Sequence, residues 1–252
     1  MNAAALFIAL SPFVAAGAPA GDKIKIIDPP EEGWYSKELV FAGIPIKAHK
    51  DVADQALFEA KRRIAMMTAK LPNVRWNLAH AGAQIHIIGK DQVTSDLPEY
   101  RDLKGKPFDG KLTVDERTRG LGGLSTSCGE ENLLKLDNDR YRGRDICVHE
   151  FAHNIYRAGV QASIREAFRQ RMKAALAEGR WVGAYAATNE DEFFAELSMW
   201  YWGTHGDLHM TGAKPENGKE GFRKYDPETF ALFDKFYSGT MPVERKQHPD
   251  EG

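Results

Sequence analysis

Only two cysteines, Cys128 and Cys147, occur in the 252 residues, and their spacing fits neither a paired CxxC zinc knuckle nor a CxxC redox motif. Neither charge is in excess. With 34 Lys plus Arg against 36 Asp plus Glu, no basic field exists to draw nucleic acid or anionic lipid, so no nucleic-acid partner is expected. The longest apolar run, Ala3 to Ala16, falls short of the roughly 20 residues that cross a bilayer, which excludes a permanent membrane span. Internal repeats and long interdomain linkers are also missing. What remains is an ordinary globular composition, 42% hydrophobic with 23 glycines, in a chain long enough to bury a sizeable core.

Residues 1–20 carry no charged side chain and end in Ala18-Pro19-Ala20, the small-x-small pattern of a signal-peptidase site. Pro12 interrupts the run, and no Lys or Arg precedes it. The reading is an export signal cleaved after Ala20, which gives a secreted or periplasmic protein. An oxidising destination would in turn join Cys128 to Cys147, closing a loop worth on the order of 3 kcal/mol.

Residues 21–239 read as one domain and 240–252 as a tail too polar to pack. Short strands are expected at Ile24–Ile27 and Ile44–Ala48, separated by the turn-rich Asp28-Pro29-Pro30, and at Gln84–Ile88. An amphipathic helix is expected from Val52 to Leu71, ended by Pro72. A long loop at 90–110 precedes an extended, glycine-interrupted stretch from Lys111 to Thr126, of which Leu112 to Thr126 is the candidate edge for pairing with a peptide. Helices are then expected at about 143–158, 161–178, 188–202 and 227–238. Thr188 and Asp191 form a capping box, and Asp226-Pro227 opens the last helix. Residues 203–225 read as loop, with His205 and His209 on its surface. Lys61-Arg62-Arg63 reads as a solvated helix face. The fold class is α+β, with a small mixed N-terminal part and a mainly helical C-terminal half.

Chemistry concentrates in His149-Glu150-Phe151-Ala152-His153, an HExxH motif in an apolar helical run. Residues four apart share a helix face, so both imidazoles can meet one metal ion while Glu150 reaches a water beside it. A catalytic zinc site needs a third protein ligand. The metzincin pattern would put Gly and His three and six places after His153, but Tyr156 and Gly159 stand there, so that class is excluded. The remaining candidates lie between Tyr185 and Glu196: Glu190, Asp191, Glu192 and Glu196. Glu192 and Glu196 are one turn apart on a helix that is otherwise apolar nearly all round, and a buried carboxylate must be paired, protonated or metal-bound.

The HEFAH string with a downstream Tyr-x6-Glu and EFFAE resembles the gluzincin metallopeptidases related to the anthrax lethal factor catalytic domain and the secreted Pro-Pro endopeptidases. The resemblance spans roughly residues 100–202. It implies a zincin-like fold and one zinc ion held by His149, His153 and Glu192. It also implies Glu150 as general base, Tyr185 facing the substrate oxyanion, and Glu196 behind the ligands. The expected function is zinc-dependent hydrolysis of a peptide or protein substrate. The alternative is a toxin-like or binding protein that keeps the fold and the zinc without general proteolysis.

Overall fold

A computed structural model describes residues 23–205 and 210–247, so the expected export signal at residues 1–20 lies outside the described residues. The N-terminal part is a mixed six-stranded sheet: β1 (Lys25–Glu31), β2 (Tyr35–Phe41), β3 (Ile44–Ala48), β4 (Gln84–Ile88), β5 (Gly120–Leu121) and β6 (Ser125–Gly129), in the spatial order β1-β2-β3-β4-β6-β5. The β1-β2-β3 meander is antiparallel, β3, β4 and β6 run parallel, and β5 returns antiparallel as the edge. The Asp28-Pro29-Pro30 stretch, expected to be a turn, lies inside β1. Among the described residues β1 is the outer strand of the sheet, and an edge position is where proline costs no ladder hydrogen bond.

Two helices cover the inner face. In α1 (Asp54–Thr68) the apolar spacing places Ala56, Leu57, Ala60, Ile64 and Met67 in the core, with β3 and β4 supplying Ile44, Ile46, Ile85 and Ile87. The helix stops at Thr68, and Pro72 opens a separate helix, α2 (Pro72–His80), where its missing N–H costs nothing. Between β4 and β5 the chain makes short 3-10 turns, a small hairpin and α3 (Val114–Arg117). The expected extended stretch from Lys111 is therefore broken by a helix turn. Its cause was legible: Thr113 and Glu116 form a reciprocal capping box.

The helical half follows. It comprises α4 (Glu130–Leu134), α5 (Ile146–Asn154), a π turn at Ile155–Gly159, α6 (Ala162–Ala177), α7 (Glu190–Trp202), α8 (Lys219–Tyr225) and α9 (Pro227–Tyr237). Pro227 stands in the first turn of α9 as expected, with Asp226 capping it through Thr229 N–H, whereas α7 is capped by Asn189, not Thr188. The segment expected to be loop contains α8, and Phe222 on it is fully buried. Rings of Phe168, Phe194, Phe233 and Phe236 interlock mostly edge to face, Phe168 and Phe194 with centroids 4.9 Å apart. Each such burial stabilises by about 1.5–3 kcal/mol.

Two further expectations are corrected. Residues 241–246 pack on α2 despite their polarity: Asn73 and Asn77 donate to the Val243 and Glu244 carbonyls, and Lys246 Nζ donates to Ala158 O. Their polar groups are satisfied by protein instead of water. Cys128 on β6 and Cys147 on α5 are free, buried thiols with sulfurs 2.8 Å apart, beyond the about 2.05 Å of a disulfide. They act as small residues in the seam between sheet and helix.

Candidate metal centre

The helix that bears the HExxH motif is fixed at its start by three polar contacts. Asp145 is the N-cap of α5, accepting from Val148 N–H, and Asn132 Oδ1 accepts from Ile146 N–H. The buried Arg63 of α1 donates to Asp145 Oδ2 at 2.8 Å. Part of the basic cluster expected to be solvated is therefore a buried brace.

His149 and His153 project from one face of α5, and their Nε2 atoms lie 3.1 Å apart. Neighbouring α7 places Glu192 Oε2 3.2 Å from His149 Nε2 and 3.5 Å from His153 Nε2. Tetrahedral ligands at about 2.0–2.1 Å from zinc are separated by roughly 3.3 Å. The three atoms are thus spaced as one face of such a cage, and Glu192 Oε2 is buried without a hydrogen bond. The donor set of two imidazoles and a carboxylate suits a small divalent cation. Without one, the same pull acts on protons. Burial disfavours the charged imidazole, yet Glu192 and Glu196 override it and carry His149 up to about 10, while Glu192 falls to about 2 against its own burial.

Glu150 offers an oxygen within 4.8 Å of the imidazole nitrogens but turns toward the open cleft. Burial raises its pKa, opposed in part by His149 and His153, so the carboxyl is a stronger base than an ordinary glutamate. Tyr185 precedes α7 and flanks His149, ring centroids 6.5 Å apart. The other two acids considered as ligands point elsewhere: Glu190 pairs with Arg169 and Asp191 with Arg157.

Behind His149, Glu196 Oε1 lies 3.0 Å from Nδ1. Arg144 donates to the same oxygen at 2.7 Å, and His205 Nε2 lies 2.5 Å from the other. A carboxylate in this position orients a metal-binding imidazole. His205, expected on a surface loop, is buried instead, stacked on Trp200. His209 lies outside the described residues. Neither Arg144 nor His205 carries a local motif, because their partner comes from a different element.

The centre opens into a cavity of about 600 Å³ lined by Phe108, Arg117, Gly120, Gly122, Tyr141 and the site residues. Its wall is β5, held by Arg119, which grips Glu131 with two bonds of 2.7 Å and donates to Gly89 O. Close approach to α5 requires glycine. A methyl group on Gly120 would lie 2.6 Å from Ile146 Cγ2. A larger hollow of about 740 Å³ lies on the far side of Arg144, lined by Arg62, Lys135 and Trp202 among others, and contains none of the donor atoms.

No protein-family profile matches the sequence, and no curated protein does. The fold is similar to that of the Pro-Pro endopeptidase from Paenibacillus alvei, with a TM-score of 0.55 over 77% of this chain and 96% of that chain. Identity is 16%, so the likeness is one of architecture. This chain has an α+β fold like that of the endopeptidase, with its sheet at the N-terminal side and its helices at the C-terminal side.

Proposed function

We propose that the protein is a zinc-dependent endopeptidase of the gluzincin kind, with His149, His153 and Glu192 as zinc ligands. The observation that carries this reading is the meeting of Glu192 with both imidazoles on the floor of an open cleft, with Glu150 beside them. A structural metal site needs ligands alone. A base at the open side suits hydrolysis.

Zinc bound by these residues would lower the pKa of a coordinated water toward about 7 and polarise the substrate carbonyl. Glu150 takes the proton released at attack and delivers it to the leaving amine, a transfer favoured by its raised pKa. Tyr185 donates its hydroxyl proton in a hydrogen bond to the carbonyl oxygen as charge develops there. Glu196, braced by Arg144 and His205, keeps the His149 ring oriented. An extended peptide lies along β5, an arrangement supported by the edge position of that strand.

Digestion of a random peptide mixture, with cleavage sites read by mass spectrometry, tests the reading. Zinc-loaded protein should cut, while chelated protein and Glu150→Gln should not, and Glu150→Gln should still hold zinc. Cleavage by Glu150→Gln at the parent rate would refute the assigned base. Full zinc loading with no cleavage of any peptide would favour a recognition role on the same fold.

A further inference from the structure

Among the described residues, the arginines around the cleft differ in how tightly they are paired. Arg144 is matched by Glu196 at 2.7 Å and Arg157 by Asp191 at 3.0 Å. Glu150 and Glu192 would together balance a bound divalent cation. Arg117, at the end of α3, is the most loosely paired of these three arginines. Its nearest carboxylate is Asp109 at 3.7 Å, and both side chains are about 40% exposed. Asp109 is also occupied in shaping the hairpin that precedes α3, accepting from Lys111 and Leu112 N–H through Oδ1.

Arg117 lines the cleft together with Phe108, a hairpin residue that is 43% exposed, and with Tyr185, whose hydroxyl feels the Arg117 charge as a pull against the burial that raises its pKa. A cation next to the group that faces the reacting carbonyl can be reached by a substrate side chain one or two positions from the scissile bond. Phe108 and Leu121 make the adjoining wall apolar.

We infer that the cleft selects peptides with an aspartate or glutamate within two residues of the scissile bond, flanked by apolar side chains, and that Arg117 reads that acidic group. The inference rests on the peptidase reading above. An exposed ion pair contributes up to about 1 kcal/mol, which sets the expected preference at about fivefold.

Two measurements test it. In the random-peptide digest, Asp and Glu should be enriched about fivefold within two positions of the cut. Arg117→Glu should replace that enrichment with Lys and Arg, and the milder Arg117→Gln should abolish it. Cuts with no acidic enrichment, or an acidic preference unchanged in both variants, would overturn the inference while leaving the peptidase reading intact. The second measurement is independent of turnover. Zinc-loaded Glu150→Gln protein should bind a fluorescent glutamate-containing peptide about fivefold tighter than its lysine counterpart, and the difference should shrink with added salt. Equal binding of the two peptides overturns the role of Arg117. Preferential binding without cleavage by the parent protein overturns the peptidase reading and leaves the acidic selectivity standing.

Discussion

Gly122 lies against His153 so closely that a methyl group in place of its hydrogen would be 2.8 Å from the histidine Cβ and 2.9 Å from Cδ2. Side chain and strand cannot both stay where they are. Gly122→Ala should shift the imidazole or the strand just after β5, weakening metal binding about tenfold or more and costing about 1–3 kcal/mol of stability. Titration calorimetry with zinc and thermal melting of the metal-free protein read the two effects separately. An alanine variant with parental zinc affinity would show that this contact does not position His153.

Glu196 should matter for folding and for metal. Replacing it with alanine leaves Arg144 and His205 buried without their carboxylate, so a loss of about 3–5 kcal/mol is expected in urea unfolding. Glu196→Gln keeps the shape but weakens the hold on His149, and zinc affinity should fall about 10–100-fold. A glutamine variant equal to the parent in a chelator competition would remove Glu196 from the support of His149.

On the far side of the sheet, Tyr35 donates to Glu99 at 2.7 Å and His86 Nδ1 lies 2.5 Å from the same carboxylate. Burial raises the Glu99 pKa, but these partners win and hold it below the ordinary glutamate value. The unfolded chain therefore binds more protons in that window. The stabilisation is complete above about pH 4.3 and drains away as pH falls through the lower folded value. Urea midpoints of Glu99→Gln should depend less on pH than the parent's between about pH 6 and pH 3. Identical acid slopes would contradict the cause given for the shift.

Tyr185→Phe should retain zinc and lower kcat by about 10²–10³, the usual cost of one hydrogen bond made in the transition state. Peptide binding to the variant should change little. A loss confined to KM would make Tyr185 a substrate contact instead of an oxyanion donor.

The HExxH pair was legible because two residues four apart on one helix need no knowledge of tertiary structure. Glu192 was legible to a lesser degree, since the helix around it is apolar and its acids must be accounted for. Only tertiary packing separates it from Glu190 and Asp191, which arginines from α6 and the π turn draw away. Arg144 and His205 could not be read, because their partner Glu196 lies 52 and 9 positions away and no spacing rule joins them. The strand at Gln84–Ile88 matched its residues, a short run with three isoleucines stopped by glycine. The stretch from Lys111 did not, because glycine and polar content outweighed the Thr113-Glu116 capping signal that turns part of it into helix.

Metal content of the purified protein addresses the central claim most directly. After purification with zinc and removal of the loosely bound excess, elemental analysis should find about one zinc per chain. His153→Ala and Glu192→Gln should each lose most of it, while Glu190→Gln should hold it like the parent. A parent protein with no zinc, or a Glu192→Gln variant that binds it undiminished, would contradict the proposed ligand set.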